Sequence, residues 1–180
     1  MIFFGKKQRL SAFFVLMWLL WATLAGAQSI PEDNTVAIIR ANYLYQFSNY
    51  NDWPSENKKG PFVVGVVGNS DVFDVMVNKY ASKPIGSQLL SVIGSNEVST
   101  APHVHVLFID RSRKSELAKY VNEFRGVSTL IVTNWEGALD QGAHINFVSI
   151  DGSIRFEMNK AGMQDVTITP GIKILQWAIQ

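Results

Sequence analysis

Three short, almost wholly apolar runs constrain this chain most: PFVVGVVG at 61–68, HVHVLFID at 103–110 and STLIVTN at 128–134. Runs of this length without polar alternation read as strands covered on both faces, and such strands belong to parallel sheets whose crossovers lay helices over each side. QLLSVIG at 88–94 reads as one more short strand. The intervening segments are amphipathic. NSDVFDVMVNKYA reads as a helix capped at Ser70, with Val72, Phe73, Met76 and Tyr80 on one side. SRKSELAKYVNEFRG reads as another, with Leu117, Tyr120, Val121 and Phe124 inward and Gly126 just past its end. Strands alternating with such helices specify an α/β fold.

The last third changes pattern. INFVSIDGSIRFEMN carries Asp151-Gly152 between two alternating runs, the signature of a two-residue hairpin, because Gly takes positive φ readily and Asp tolerates it. TPGIKILQWAIQ reads as a short helix started by Thr169 and Pro170, with Ile172, Leu175 and Ile179 on its apolar side. The expected architecture is a single three-layer α/β domain, a largely parallel sheet with an antiparallel C-terminal hairpin and helices on both faces.

The first 27 residues read as an address. Lys6, Lys7 and Arg9 precede an apolar run from Leu10 to Ala25, and Ala25-Gly26-Ala27 suits a signal peptidase. Cleavage before Gln28 is expected. The rival is an uncut membrane span, since Leu10 to Ala27 approaches the roughly 20 residues a span needs. Removing 27 of 180 residues leaves 153, one domain of ordinary size, at 28–180. Three of the 16 Lys+Arg leave with the leader against an unchanged 15 Asp+Glu, so the mature chain carries a charge near −2. That balance speaks against nucleic acid and against an anionic membrane surface. Zero cysteines mean that no disulfide supports an exported fold, so the core must suffice.

RANYLYQFSNYNDWP, 40–54, packs four rings into a helix expected to start at Asp33/Asn34 and to stop at Trp53-Pro54. At 100° per residue Val36, Ile39, Tyr43, Phe47 and Tyr50 share a stripe that should lie on the sheet. Tyr45 points nearly opposite, beside Ile38. Either another helix, such as the C-terminal one, covers that second ridge, or it is a patch for a partner protein. Arg155 and Glu157 alternate with Ile154, Phe156 and Met158 and so share the outer face of the hairpin strand. Such a ladder guards a sheet edge, or else it steers a docking partner.

His103 and His105 share a strand face, the spacing of a two-histidine clip, but a third ligand would have to be His144 or Glu97, and structural histidines at a strand entrance fit as well. No G-x-S-x-G, G-x-G-x-x-G or P-loop is present. No metal or cofactor is called for. Small ligands of α/β sheets sit at the carboxyl ends of strands, which singles out Asn69, Ser70, Asn134 and Trp135 as an alternative pocket, although Trp135 could equally cap the core.

The blocks Ala41–Phe47 closed by Trp53-Pro54, Phe62–Gly68, His105–Ile109 and Ile154–Asn159 together resemble the YfiR-like family of small exported bacterial proteins, in order and spacing over nearly the whole mature chain. The resemblance implies a periplasmic α/β domain without known enzymatic activity. Its best-studied type represses a membrane-bound diguanylate cyclase through the cyclase's periplasmic part, lowering cyclic di-GMP and restraining biofilm formation. That type has disulfides, one cysteine of which would stand where this chain has Val104, so redox control does not carry over. The segment after Asn159 is also shorter than the family's usual helix-loop-helix. The expected function is therefore an exported regulator that binds a membrane signalling protein, with a homodimer compatible and no membrane insertion after cleavage. A periplasmic small-molecule binding module is the alternative, and an enzyme ranks third.

Overall fold

The computed structural model describes residues 32–179. The leader and its cleavage site lie outside the described residues. Helix α1 (Glu32–Tyr50) runs into a two-residue strand β1 (Asn51–Asp52), then β2 (Phe62–Val67), α2 (Ser70–Tyr80), β3 (Pro84–Ile85), β4 (Gln88–Gly94) and β5 (Val106–Ile109). There follow α3 (Leu117–Glu123), β6 (Leu130–Thr133), the hairpin β7 (Ile145–Ile150) and β8 (Ser153–Met158), α4 (Lys160–Asp165), β9 (Thr169–Pro170) and α5 (Ile172–Trp177). The main sheet has the order β3-β4-β2-β5-β6-β7-β8. Strands β4, β2, β5, β6 and β7 are parallel, while β3 and β8 pair antiparallel at the two edges. The α/β, largely parallel class and the closing hairpin are as the sequence pattern predicts.

The apolar runs are covered on both faces because successive side chains point opposite ways. Phe62, Val64 and Val66 join the core under α1 and α2, whereas Val63 and Val67 join a second core with Leu107, Ile109, Leu117 and Tyr120 under α3. At Asp151-Gly152 both residues have positive φ, 50° and 73°, and Ile150 lies opposite Ser153. This is the primed two-residue turn, whose twist matches that of its strands.

Several local expectations are corrected. Asn69, not Ser70, caps α2, its side chain accepting from the Val72 amide at 2.8 Å. The Arg111–Glu116 stretch is 3₁₀ rather than α-helix, with Arg113 at φ −118°, because the Asp110 carboxylate takes the Ser112 amide into a tight turn first. Helix α1 begins at Glu32, so Asp33 and Asn34 lie inside it. Its buried seam is Ala37, Ala41, Leu44, Phe47 and Ser48, while Val36, Ile39, Tyr43 and Tyr50 are half-buried. The seam is displaced because α2 packs against α1 beside the sheet, and small residues allow that close approach. In α5 the buried residue is Ile174, and Ile172 is 75 % exposed. Thr169-Pro170 does not start that helix but forms β9, which pairs with β1 and so ties the end of α1 to the C-terminal segment.

Candidate functional site

The carboxyl ends of β2, β5 and β6 share one hydrogen-bonded polar network. The Asp110 carboxylate, just past β5, accepts from Asn69 Nδ2 at 3.2 Å, from Asn134 Nδ2 at 2.7 Å and from the Ser112 amide at 3.0 Å. Burial pushes this carboxyl up, but those hydrogen bonds together outweigh it and hold Asp110 below the usual carboxylate range. Asn134 Oδ1 in turn accepts from the Arg111 amide at 2.6 Å. One strand further on, Asn146 Oδ1 accepts from Thr133 Oγ1 and from the Trp135 amide, and its Nδ2 donates to Glu157 Oε1 at 2.8 Å. Nothing in sequence spacing indicated Asn146; its role comes from β7 starting opposite the end of β6, with Thr133 beside Asn146.

That stagger also makes a cleft. Strand β7 continues past the end of β6, so the β7–β8 hairpin stands beyond the sheet edge as a wall. Arg40 from α1, Arg111, Asn134, Trp135, Phe147 and Glu157 face a cavity of about 410 Å³ there. Burial lowers the Arg40 pKa; the charge of Asp110 opposes the shift and that of Arg111 adds to it. Arg40 Nε is buried and has no hydrogen-bond partner among the described residues.

The residues singled out in the sequence are brought together only in part. Asn134, Trp135 and Glu157 meet in the cleft, and Asn69 reaches it through Asp110. Ser70 and Asn69 together line a separate recess with Gly68, Phe73 and Gly94. Trp135 is 8 % exposed and also belongs to the second core. Arg155 is exposed on β8, whereas Glu157 is half-buried and bonded to Asn146, so the two do not form a free charge ladder. Ile38 and Tyr45 do not line the cleft. Tyr45 is half-buried and stacks on Tyr80 with ring centroids 4.6 Å apart; the covering helix is α2, not the C-terminal one. Arg40 and Arg111 were missed by the sequence, where they stand 71 positions apart on a helix and in a loop.

The histidines are built into the strands. His105 and His144 each sit one residue before a parallel strand. The Val63 amide donates to His105 Nδ1 and the Ile131 amide to His144 Nδ1, both at 3.0 Å. The same two rungs are completed by the His105 amide donating to Val63 O and the His144 amide to Ile131 O, both at 2.9 Å. Each imidazole thus replaces the carbonyl that would have continued the ladder. Nε2 of His105 lies 2.8 Å from Asn57 O, so it carries the proton, and neither ring nitrogen of His105 is open to a metal. Among the described residues no group of three or more His, Cys, Asp or Glu is placed to hold a metal ion.

A largely parallel sheet with helices on both faces and a polar cleft over the carboxyl ends of its strands defines a small α/β domain. The chain belongs to the YfiR/HmsC-like family, a domain family whose model matches residues 37–178. A search of curated proteins finds no match. Membership implies a periplasmic regulatory role in cyclic di-GMP signalling through membrane sensor proteins in general, in a family not known for catalysis. No helix among the described residues is long and apolar enough to cross a membrane.

Proposed function

We propose that this protein is an exported modulator that represses a membrane-bound diguanylate cyclase or a related sensor by binding its periplasmic part. The family match over 37–178 carries this reading. Deleting the protein should raise cellular cyclic di-GMP, and re-expressing the exported form should lower it; unchanged levels in both strains would refute the repressor role. The contact surface is sought by substitution. Arg155→Ala removes an exposed charge on β8 and should slow association without affecting folding. Tyr45→Ala is measured for stability and repression together, because its stacking on Tyr80 assigns it a packing role as well. Repression lost with stability intact would make Tyr45 part of the docking surface, beside Ile38. The second reading, a small-molecule binding module feeding a sensory system, is favoured by the cleft at Asn134 and Trp135.

A further inference from the structure

Strand β8 is a sheet edge, and an open edge is a template for a further strand. The hairpin register fixes which of its backbone groups face outward. The Asn159 amide donates to His144 O at 2.8 Å, in the pair next after Met158 and Ile145. Hydrogen-bonded pairs alternate along an antiparallel ladder, so Glu157, Arg155 and Ser153 also turn their N–H and C=O towards β7. Ile154, Phe156 and Met158 therefore present theirs to the outside. One of these groups is taken by the C-terminal segment: α5 ends at Trp177, Ala178 is extended at φ −63° and ψ 138°, and the Ile179 amide donates to Phe156 O at 2.9 Å. Among the described residues no other backbone hydrogen bond reaches the outward groups of β8.

The same edge is its own complement. A second β8 related by a two-fold axis at Phe156 sets Ile154 opposite Met158 and Arg155 opposite Glu157, and the outward groups of Ile154, Phe156 and Met158 meet in hydrogen-bonded pairs. The charged residues then fall in the non-hydrogen-bonded pairs, where side chains lie closest and opposite charges attract. Arg155 is exposed and belongs to neither ion pair of the described residues, and Glu157 commits only Oε1, to Asn146. From this we propose that the outer edge of β8 is a strand-addition site for a second copy of this chain, held closed by the C-terminal segment through Ile179. Segment and second strand need the same Phe156 carbonyl, so the segment is a latch. In place it keeps this edge from pairing, and once released it leaves the edge free to pair with itself.

The inference stands apart from the cyclase reading, because association is measured on the purified chain from Gln28 and repression in cells. Two variants release the latch: truncation after Trp177, and Ile179→Pro, which keeps the length but removes the donor to Phe156 O. Analytical ultracentrifugation at concentrations up to about 1 mM compares both with the intact chain. The released chains should reach twice the mass of the intact one. On association, amide exchange at Ile154, Phe156 and Met158 should slow, while that at Arg155 and Glu157, already bonded to β7, should not change. Arg155→Glu in a released chain faces Glu157 of the second copy and should weaken association roughly tenfold or more at unchanged melting temperature. The proposal is overturned if the released variants that keep a cooperative melting transition also keep the intact chain's mass, if the gained protection falls outside the outward amides of β8, or if Arg155→Glu leaves association unchanged.

Discussion

Acid should destabilise this protein through His105 and His144 at a higher pH than that at which Asp110 protonates. Burial pushes the pKa of each ring from 6.5 down to about 4; for His105 the hydrogen bond to Asn57 opposes the shift and neighbouring His103 adds to it, and for His144 Asp165 opposes it. The fold therefore favours the neutral rings, whose Nδ1 atoms must stay unprotonated to accept the Val63 and Ile131 amides. Their stabilisation is complete above pH 6.5, is lost as pH falls from 6.5 towards about 4, and falls no further below that. At about pH 4.5 the loss is roughly 2.5 kcal/mol per histidine, about 5 together, a large part of the stability of a domain this size. Urea unfolding between about pH 7.5 and about pH 4.5 measures it as a falling midpoint at constant slope. The comparison is the double variant His105→Asn/His144→Asn, in which an amide oxygen takes the place of Nδ1 without titrating in this range. That variant should be weaker at neutral pH but nearly flat across the window. An equal pH-dependent loss in the variant would refute the account.

Phe47→Ala should cost roughly 3 to 5 kcal/mol, because the ring is fully buried, lies edge-on to Phe156 at 5.0 Å and stacks on Phe147 at 5.9 Å; a melting temperature unchanged by the substitution would contradict this. Gly171→Ala should cost about 1 to 3 kcal/mol although φ is ordinary there, since the new Cβ would lie 1.9 Å from Tyr50 O; amide exchange at the β1–β9 pair should rise first. Asp110→Ala should cost roughly 2 to 4 kcal/mol in chemical denaturation by stranding the Asn69 and Asn134 amides. The stability that Asp110 supplies is present above its ordinary pKa of 3.8 and is lost only as pH falls below it, separate from the histidine window.

The apolar runs, the hairpin at Asp151-Gly152 and the stop at Trp53-Pro54 were legible in sequence because each is local: a period, a turn residue or a fixed φ acts on its immediate neighbours. The helix faces were legible only approximately. Periodicity locates one stripe, whereas α1 is buried by the sheet and by α2 together, so its seam moved to Ala37, Ala41 and Leu44 and Tyr45 found its partner in Tyr80. Histidine placement at strand entrances was readable, but the pairing of Nδ1 with an amide of the adjacent strand was not. The cleft is a tertiary product throughout. Arg40, Arg111 and the Asn146–Glu157 pair of the hairpin come from distant parts of the chain, and what unites them is the order β2-β5-β6-β7-β8 and the stagger that starts β7 at the end of β6. Local sequence chemistry determined which strands, turns and helices exist; register and strand order, which depend on long-range packing, decided which charges share a cleft.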